Sequence, residues 1–213
     1  MNYITVSEFA TDSFIEKRSE FIGYICPVST NDEAVDFINR IKSEHRKAKH
    51  NVYAYILRKD NISRYSDDGE PQGTAGMPVL EVLKKRGLTD VCVVVTRYFG
   101  GILLGGGGLV RAYSHSAALT CDAASILHMC ESCPLSLRMD YTLYGKVTHI
   151  LPEYGVIESG SEFGTEVWLE LQVRLEVLDR LMRDLTELSN GRIHMECGKT
   201  GYADFSAAVK KTF

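Results

Sequence analysis

Proline is scarce in this chain, 5 in 213 residues, and there is a single tryptophan. No apolar stretch approaches the length of a membrane span; the longest, around residues 91–95, is only a few residues long. Residues 1–11 carry no basic start followed by an apolar run, so no secretory signal is expected and the chain reads as cytoplasmic. Nor is there an excess of one charge: 24 Lys and Arg face 28 Asp and Glu, a net −4. Residues 1–133 hold 15 basic and 16 acidic side chains, and residues 134–213 hold 9 and 12. Binding of nucleic acid through bulk charge is thereby excluded, and any such function has to rest on a local patch. The six cysteines fit the cytoplasmic reading: Cys26, Cys92, Cys121 and Cys197 stand alone inside apolar segments, where a reduced thiol behaves as a small hydrophobe. Only Cys130-Glu131-Ser132-Cys133 has ligand-like spacing, and without a second pair it makes no structural zinc site. No metal site is expected.

What is present is an ordinary globular composition, with 45% hydrophobic and 24% charged residues. From residue 133 onward, Leu135, Leu137, Met139, Tyr141 and Leu143 alternate with polar neighbours, the signature of a half-buried strand. A helix is expected over 145–154, a short strand over 156–159 and a turn over 160–164. A second alternating strand covers 167–175, an amphipathic helix 178–188 ends at Asn190-Gly191, and a last strand starts at Ile193. The order is βαββαβ, the ferredoxin-like arrangement. Residues 1–132 read as a separate α+β domain. Strands are expected at 21–28, 52–57 and 91–98, and a helix follows a Thr30-Asn31-Asp32-Glu33 capping box. Further helices are expected at 77–86 and 109–124, with a polar loop at 64–76. The fold class is α+β in two domains, 1–132 and 133–213.

Three stretches depart from plain structural sequence. His45-Arg46-Lys47-Ala48-Lys49-His50 puts more cations at a helix end than the dipole requires, which points to an anion. In residues 64–76, Asp67, Asp68 and Glu70 among Gly69, Pro71, Gly73 and Gly76 read either as turn chemistry or as a divalent-cation or acid/base site. From Thr96 to Tyr113, a strand passes through Gly100, Gly101 and Gly105–Gly108 into a helix, flanked by Arg97 and Arg111. Glycines there turn backbone amides toward an anion, although neither a P-loop ending nor a dinucleotide fingerprint is present.

Together these stretches resemble the bacterial type of the IMPACT family. The matching pieces are Lys17-Arg18-Ser19-Glu20-Phe21-Ile22, His45-x-x-Ala48-x-His50 and Arg64-x-Ser66-Asp67-Asp68-Gly69-Glu70-Pro71-x-Gly73-Thr74-Ala75-Gly76. Val95-Thr96-Arg97-Tyr98-Phe99-Gly100-Gly101 and Leu104-Gly105-x-Gly107-Gly108-Leu109-x-Arg111-Ala112-Tyr113 complete the set. The resemblance implies a first domain with the left-handed βαβ fold of elongation factor G domain IV, and a ferredoxin-like second domain. It implies regulation of translation and contact with RNA or the ribosome. The family usually places a lysine where this chain has Leu103, so one cation is missing from the glycine loop.

On that reading, His45, Lys47, His50, Arg64, Arg97 and Arg111 contact phosphate, Gly105, Gly106, Gly107 and Gly108 allow close approach, and Tyr98 stacks on a base. No cofactor is needed, and the second domain offers a face for a protein partner. The alternative is an enzyme acting on a phosphorylated small molecule, with Asp67, Asp68 and Glu70 holding Mg²⁺ or moving protons.

Overall fold

The computed structural model describes residues 2–209. They divide into two compact units, one formed by residues 3–127 and the other by residue 2 with residues 128–209. Among the described residues no helix is long and apolar enough to cross a membrane.

The N-terminal unit runs β1 (Tyr3–Val6), β2 (Ala10–Glu16), β3 (Ser19–Pro27), α1 (Asn31–Glu44), β4 (His50–Leu57), β5 (Ile62–Ser66), α2 (Gly76–Lys85), β6 (Val91–Tyr98) and α3 (Gly106–Ala123). Five of these strands make an antiparallel sheet in the order β2-β3-β6-β4-β5. The central strand β6 is apolar almost throughout because both its faces are covered. Val91, Val93 and Val95 meet α2 and α3 in one core, while Cys92 and Val94 meet α1 in the other. α1 opens as a variant of the capping box: the Thr30 hydroxyl accepts from the Glu33 amide at 3.2 Å, and Glu33 accepts from the amide of Ser29, one residue before the cap, at 2.6 Å. Its buried face is Ala34, Phe37, Ile38 and Ile41.

β3 and β4 are parallel to each other with β6 between them, and β5 and β6 are parallel with β4 between them. The two crossovers step in opposite directions along the sheet, between strand pairs of opposite sense. Their helices, α1 and α2, lie on opposite faces. The crossovers therefore have opposite hands, and one of them is the left-handed βαβ connection that most proteins avoid.

The C-terminal unit is built on β7 (Ile126–Met139), followed by α4 (Tyr141–Ile150), β8 (Ile157–Phe163), β9 (Val167–Arg174), α5 (Leu175–Ser189), β10 (His194–Cys197), β11 (Gly201–Asp204) and α6 (Ser206–Val209). Its sheet order is β10-β7-β9-β8, all antiparallel, which is the ferredoxin-like order. Leu135, Leu137, Leu169 and Leu171 face Val147, Leu181 and Leu185 of the helices in one core. β11 pairs with the earlier half of β7.

Several boundaries differ from the sequence expectation. The strand begun at Leu135 stops at Met139, because a helix begins at Tyr141 on which Leu143 and Val147 pack at helical spacing. The turn expected at 160–164 starts later: Gly160 stays in β8 at a register shift after Glu158, so the glycine marks a bulge. β2 was not anticipated, since Ala10 and Phe14 alone pack on the core and Ile15 stays exposed on an edge strand. Arg64, Tyr65 and Ser66 belong to β5, so the polar loop starts at Asp67. Finally, α3 starts at Gly106 rather than Leu109, putting three glycines in its first turn.

Candidate functional site

The three chemistry-bearing stretches converge in the N-terminal unit. β6 ends at Tyr98, the loop through Phe99 and Leu103 returns the chain, and α3 begins beside residues 67–76. Together with the start of β4 they enclose a pocket of about 380 Å³. Its floor includes Glu70 and Arg97, its rim Lys49 and His50, and one wall Gly105 and Gly106. Phe99, Leu103 and Leu104 make the apolar side. The acidic and glycine-rich loops thus share one site.

Each acid of the 67–76 loop faces a different way. Asp67 accepts from the Gly73 amide at 2.8 Å, from Ala75 at 3.1 Å and from Gly76 at 2.8 Å, closing the loop onto the start of α2. Asp68 accepts from Lys42 Nζ and from the Asn51 amide, each at 2.7 Å. These two carboxylates are engaged in holding the loop, and they do not converge on one point. Among the described residues no group of three or more His, Cys, Asp or Glu side chains is arranged to hold a metal ion.

Glu70 is different. Its side chain is 4% exposed and Oε1 accepts from Arg97 Nη1 at 2.7 Å and from the Tyr113 hydroxyl at 2.7 Å. Burial, and then the adjacent Glu70 charge, push the Tyr113 phenol far above its ordinary range, so it remains a donor. Arg97 itself is 5% exposed. Its Nη2 reaches the Ser19 hydroxyl at 3.4 Å, and that hydroxyl also accepts from the Gly100 amide at 3.2 Å. The guanidinium carbon lies 5.4 and 5.5 Å from the centroids of the Phe21 and Phe99 rings, and Nε has no hydrogen-bond partner among the described residues. Arg97 is a buried, paired cation at the pocket floor, not a surface one.

The first bond inside α3 runs from the Leu109 amide to the Gly105 carbonyl at 2.9 Å, so the amides of Gly106, Gly107 and Gly108 are the helix's orphan donors. No side chain caps them and no acid stands in the first turn. Gly105 has φ +74°, a conformation that favours glycine. Gly106 and Gly107 have no such need: a Cβ would meet only the Thr74 methyl at 3.8 Å on the first and nothing within 4 Å on the second. Glycine costs a helix up to about 1 kcal/mol relative to alanine. These two residues therefore leave open space in front of a positive helix end, where an anion fits.

The remaining expected residues are dispersed. His50 lines the pocket and donates from Nδ1 to the Asp68 carbonyl at 2.9 Å. His45 closes α1 and sits between two tyrosines, with Nε2 at 2.5 Å from Tyr24 Oη and Nδ1 at 2.9 Å from Tyr98 Oη. Burial and the nearby Glu44 charge push the Tyr24 phenol up to about 12. Tyr98 is thus half-buried and tied down, whereas Phe99 beside it is 46% exposed on the pocket wall. Lys47 and Arg64 are exposed away from the pocket lining. Arg111 and Gly108 line a second depression of about 250 Å³ on the other flank of α3, with Lys17 and His115.

Lys17, Lys49 and Phe99 line these depressions; they belong to the stretches quoted from the sequence but were not among the expected contacts. Lys17 and Arg18 form the β2–β3 turn at φ +45° and +65°, and the Gly100 backbone packs directly against Arg18. The motif spelling was a signal for this pair; its left-handed backbone was not legible.

Comparison with known proteins agrees with this layout. The family model described as the Impact N-terminal domain matches residues 17–121, and a domain of unknown function, DUF1949, matches residues 137–192. An IMPACT family member, YvyE of Bacillus subtilis, is 39% identical over 204 residues, spanning 95% of this chain and 94% of its own. A protein IMPACT homolog of Dictyostelium discoideum is 34% identical over 123 residues, 55% of this chain and 34% of that one. A crystal structure described as that of a hypothetical protein superposes with a TM-score of 0.59 at 25% identity, covering 93% of this chain and 98% of its own.

Proposed function

This chain belongs to the IMPACT family, and from that membership and the pocket's chemistry we propose that it is a translation-associated regulator that binds RNA, on the ribosome, through phosphate. The observation that carries this reading is the uncapped, glycine-only start of α3 opening on a pocket rimmed by Lys49 and His50. Orphan amides, a helix dipole and the Lys49 cation at one point make a receptor for a phosphodiester. On the other flank of the same helix Lys17 and Arg111, with Glu16 beside them, offer two further cations to a backbone. The net charge of −4 leaves this patch as the source of attraction.

The enzyme reading with Mg²⁺ on the acidic loop has less to support it, because Asp67 and Asp68 already accept five N–H donors between them.

The test is cosedimentation of the pure protein with ribosomes across a salt series, beside Lys49→Glu and Arg111→Glu. Binding that falls steeply with salt and weakens in both variants supports phosphate contact. Absence of binding at low salt in the unmodified protein refutes the reading.

A further inference from the structure

The C-terminal unit brings together sulfurs that lie far apart in the chain. β10 pairs antiparallel with β7 so that Cys197 stands opposite Leu135. Cys133 lies two residues from Leu135 on the same strand, so alternation and cross-strand pairing put both thiols on the face that α5 covers. The Cys133 thiol reaches the carbonyl of Gly198, the residue after Cys197, at 3.3 Å. Desolvation, and then the Cys133 thiol beside it, push the Cys197 thiol up. From α5 the Met182 thioether meets Cys197, with Sδ and Sγ 3.8 Å apart. Three sulfurs from three elements therefore share one corner. Met182 also lines, with Met195, a depression of about 270 Å³.

The donor set selects the ion. Two thiols and a thioether are soft ligands, which favour copper(I) over the hard cations that oxygen donors bind. Zinc takes four thiolate, imidazole or carboxylate ligands, and His194 and Glu196 alternate onto the other face of β10. Two sulfurs bonded to one ion at about 2.3 Å each lie about 4 Å apart in a trigonal site, close to the 3.8 Å observed. Cys197 is exposed and Met182 half-buried, so an ion can enter from solvent, while Cys133, 2% exposed, closes the site from inside.

We propose that Cys133, Cys197 and Met182 bind one copper(I) ion. Binding releases a proton from each thiol to solvent and leaves two thiolates and one thioether on the metal. The ion then ties β7, β10 and α5 together at one point and stabilises the C-terminal unit. Cysteine spacing alone conceals this site, because Cys133 and Cys197 meet only through the pairing of β10 with β7 and the third ligand is a methionine.

Anaerobic titration of the reduced full chain with copper(I) held by bicinchoninate tests this. The chain is expected to take one equivalent from the chelator and to gain an ultraviolet thiolate-to-copper charge-transfer band. Cys197→Ser is expected to weaken binding by more than about a hundredfold, since losing a ligand costs more than losing an outer-shell partner. Met182→Leu conserves volume and is expected to weaken binding about tenfold. Cys26→Ser removes a thiol from the pair that faces across β3 and β6, and is expected to bind as the parent does. Saturating copper(I) should raise the thermal midpoint of the parent and not that of Cys197→Ser. A chain that takes no copper from the chelator overturns the proposal, and so does a Cys197→Ser variant with the parent's affinity. Unaltered affinity in Met182→Leu overturns the thioether as a ligand. Loss of binding in Cys26→Ser overturns the assignment to the C-terminal unit.

Discussion

Arg97 donates to Glu70 at 2.7 Å with both side chains almost wholly out of water, so the charged residue most conspicuous beside the glycine loop is a structural anchor. It ties β6 to the 67–76 loop, and Tyr113 of α3 donates to the same carboxylate oxygen. Three segments of the pocket are thus fixed at one atom.

Breaking a buried pair from one side leaves an uncompensated charge, so Arg97→Ala is expected to lose about 3–5 kcal/mol of unfolding free energy. Replacing both partners, as Arg97→Met with Glu70→Leu, is expected to recover most of that loss. Urea denaturation of the two singles and the double reads the difference. A small loss in Arg97→Ala would mean that the pair is hydrated and the pocket floor open. For the same reason Arg97→Ala is a poor probe of ligand binding, whereas exposed Lys49 is a clean one.

Asp67 carries three backbone amides on one carboxylate. Asp67→Ala is expected to cost about 2 kcal/mol, typical for removing a helix-start acceptor with several partners. Hydrogen exchange at the Gly73, Ala75 and Gly76 amides should accelerate in that variant well before the β6 amides do. Uniform acceleration everywhere would instead make the loop part of the global fold.

How far the sequence led differs between the two halves. The ferredoxin-like unit was legible because Leu135, Leu137 and Met139 alternate and α5 repeats leucine at helical spacing, so burial on one face is written directly into the order of residues. The N-terminal sheet was legible at β6 for the opposite reason, an unbroken apolar run between two covered faces. β2 and β11 were not legible, since an edge strand with few buried residues has almost no pattern. Within the site, residue types pointed to the right loops but not to exposure. Nothing in the spelling says that Arg97 turns inward to Glu70 while its neighbour Phe99 turns out, because that depends on contacts 27 and 78 residues away in the chain.

Gly100 and Gly107 should respond oppositely to alanine. A Cβ on Gly100 would sit 2.0 Å from the Arg18 backbone, where no flexible side chain can yield, whereas one on Gly107 meets nothing within 4 Å. Gly100→Ala is expected to destabilise by about 1–3 kcal/mol or more through forced backbone displacement, and Gly107→Ala to be neutral or slightly stabilising. Thermal unfolding of both variants decides it. Equal tolerance at the two positions would mean that the Lys17–Arg18 turn is free to move off the loop.

Asp204 supplies the pH dependence. Its Oδ1 accepts from the His128 amide at 3.0 Å and from the Ser206 amide at 2.9 Å, and the Ser206 hydroxyl bonds to it as well. Burial alone would raise its carboxyl, but these donors outweigh burial and hold it below the usual value. A carboxylate with a depressed folded-state value contributes stability that is fully present above its unfolded value, about 3.9, and is lost as pH falls through the folded value. Asp204→Asn keeps one acceptor oxygen and removes the titration. The parent chain is therefore expected to exceed the variant in urea midpoint near neutrality by an amount worth about 1 kcal/mol. That gap should close as pH is lowered below about 4. A gap that stays constant from neutral to acid would show that the charge on Asp204 is immaterial and that shape alone joins β11 to β7.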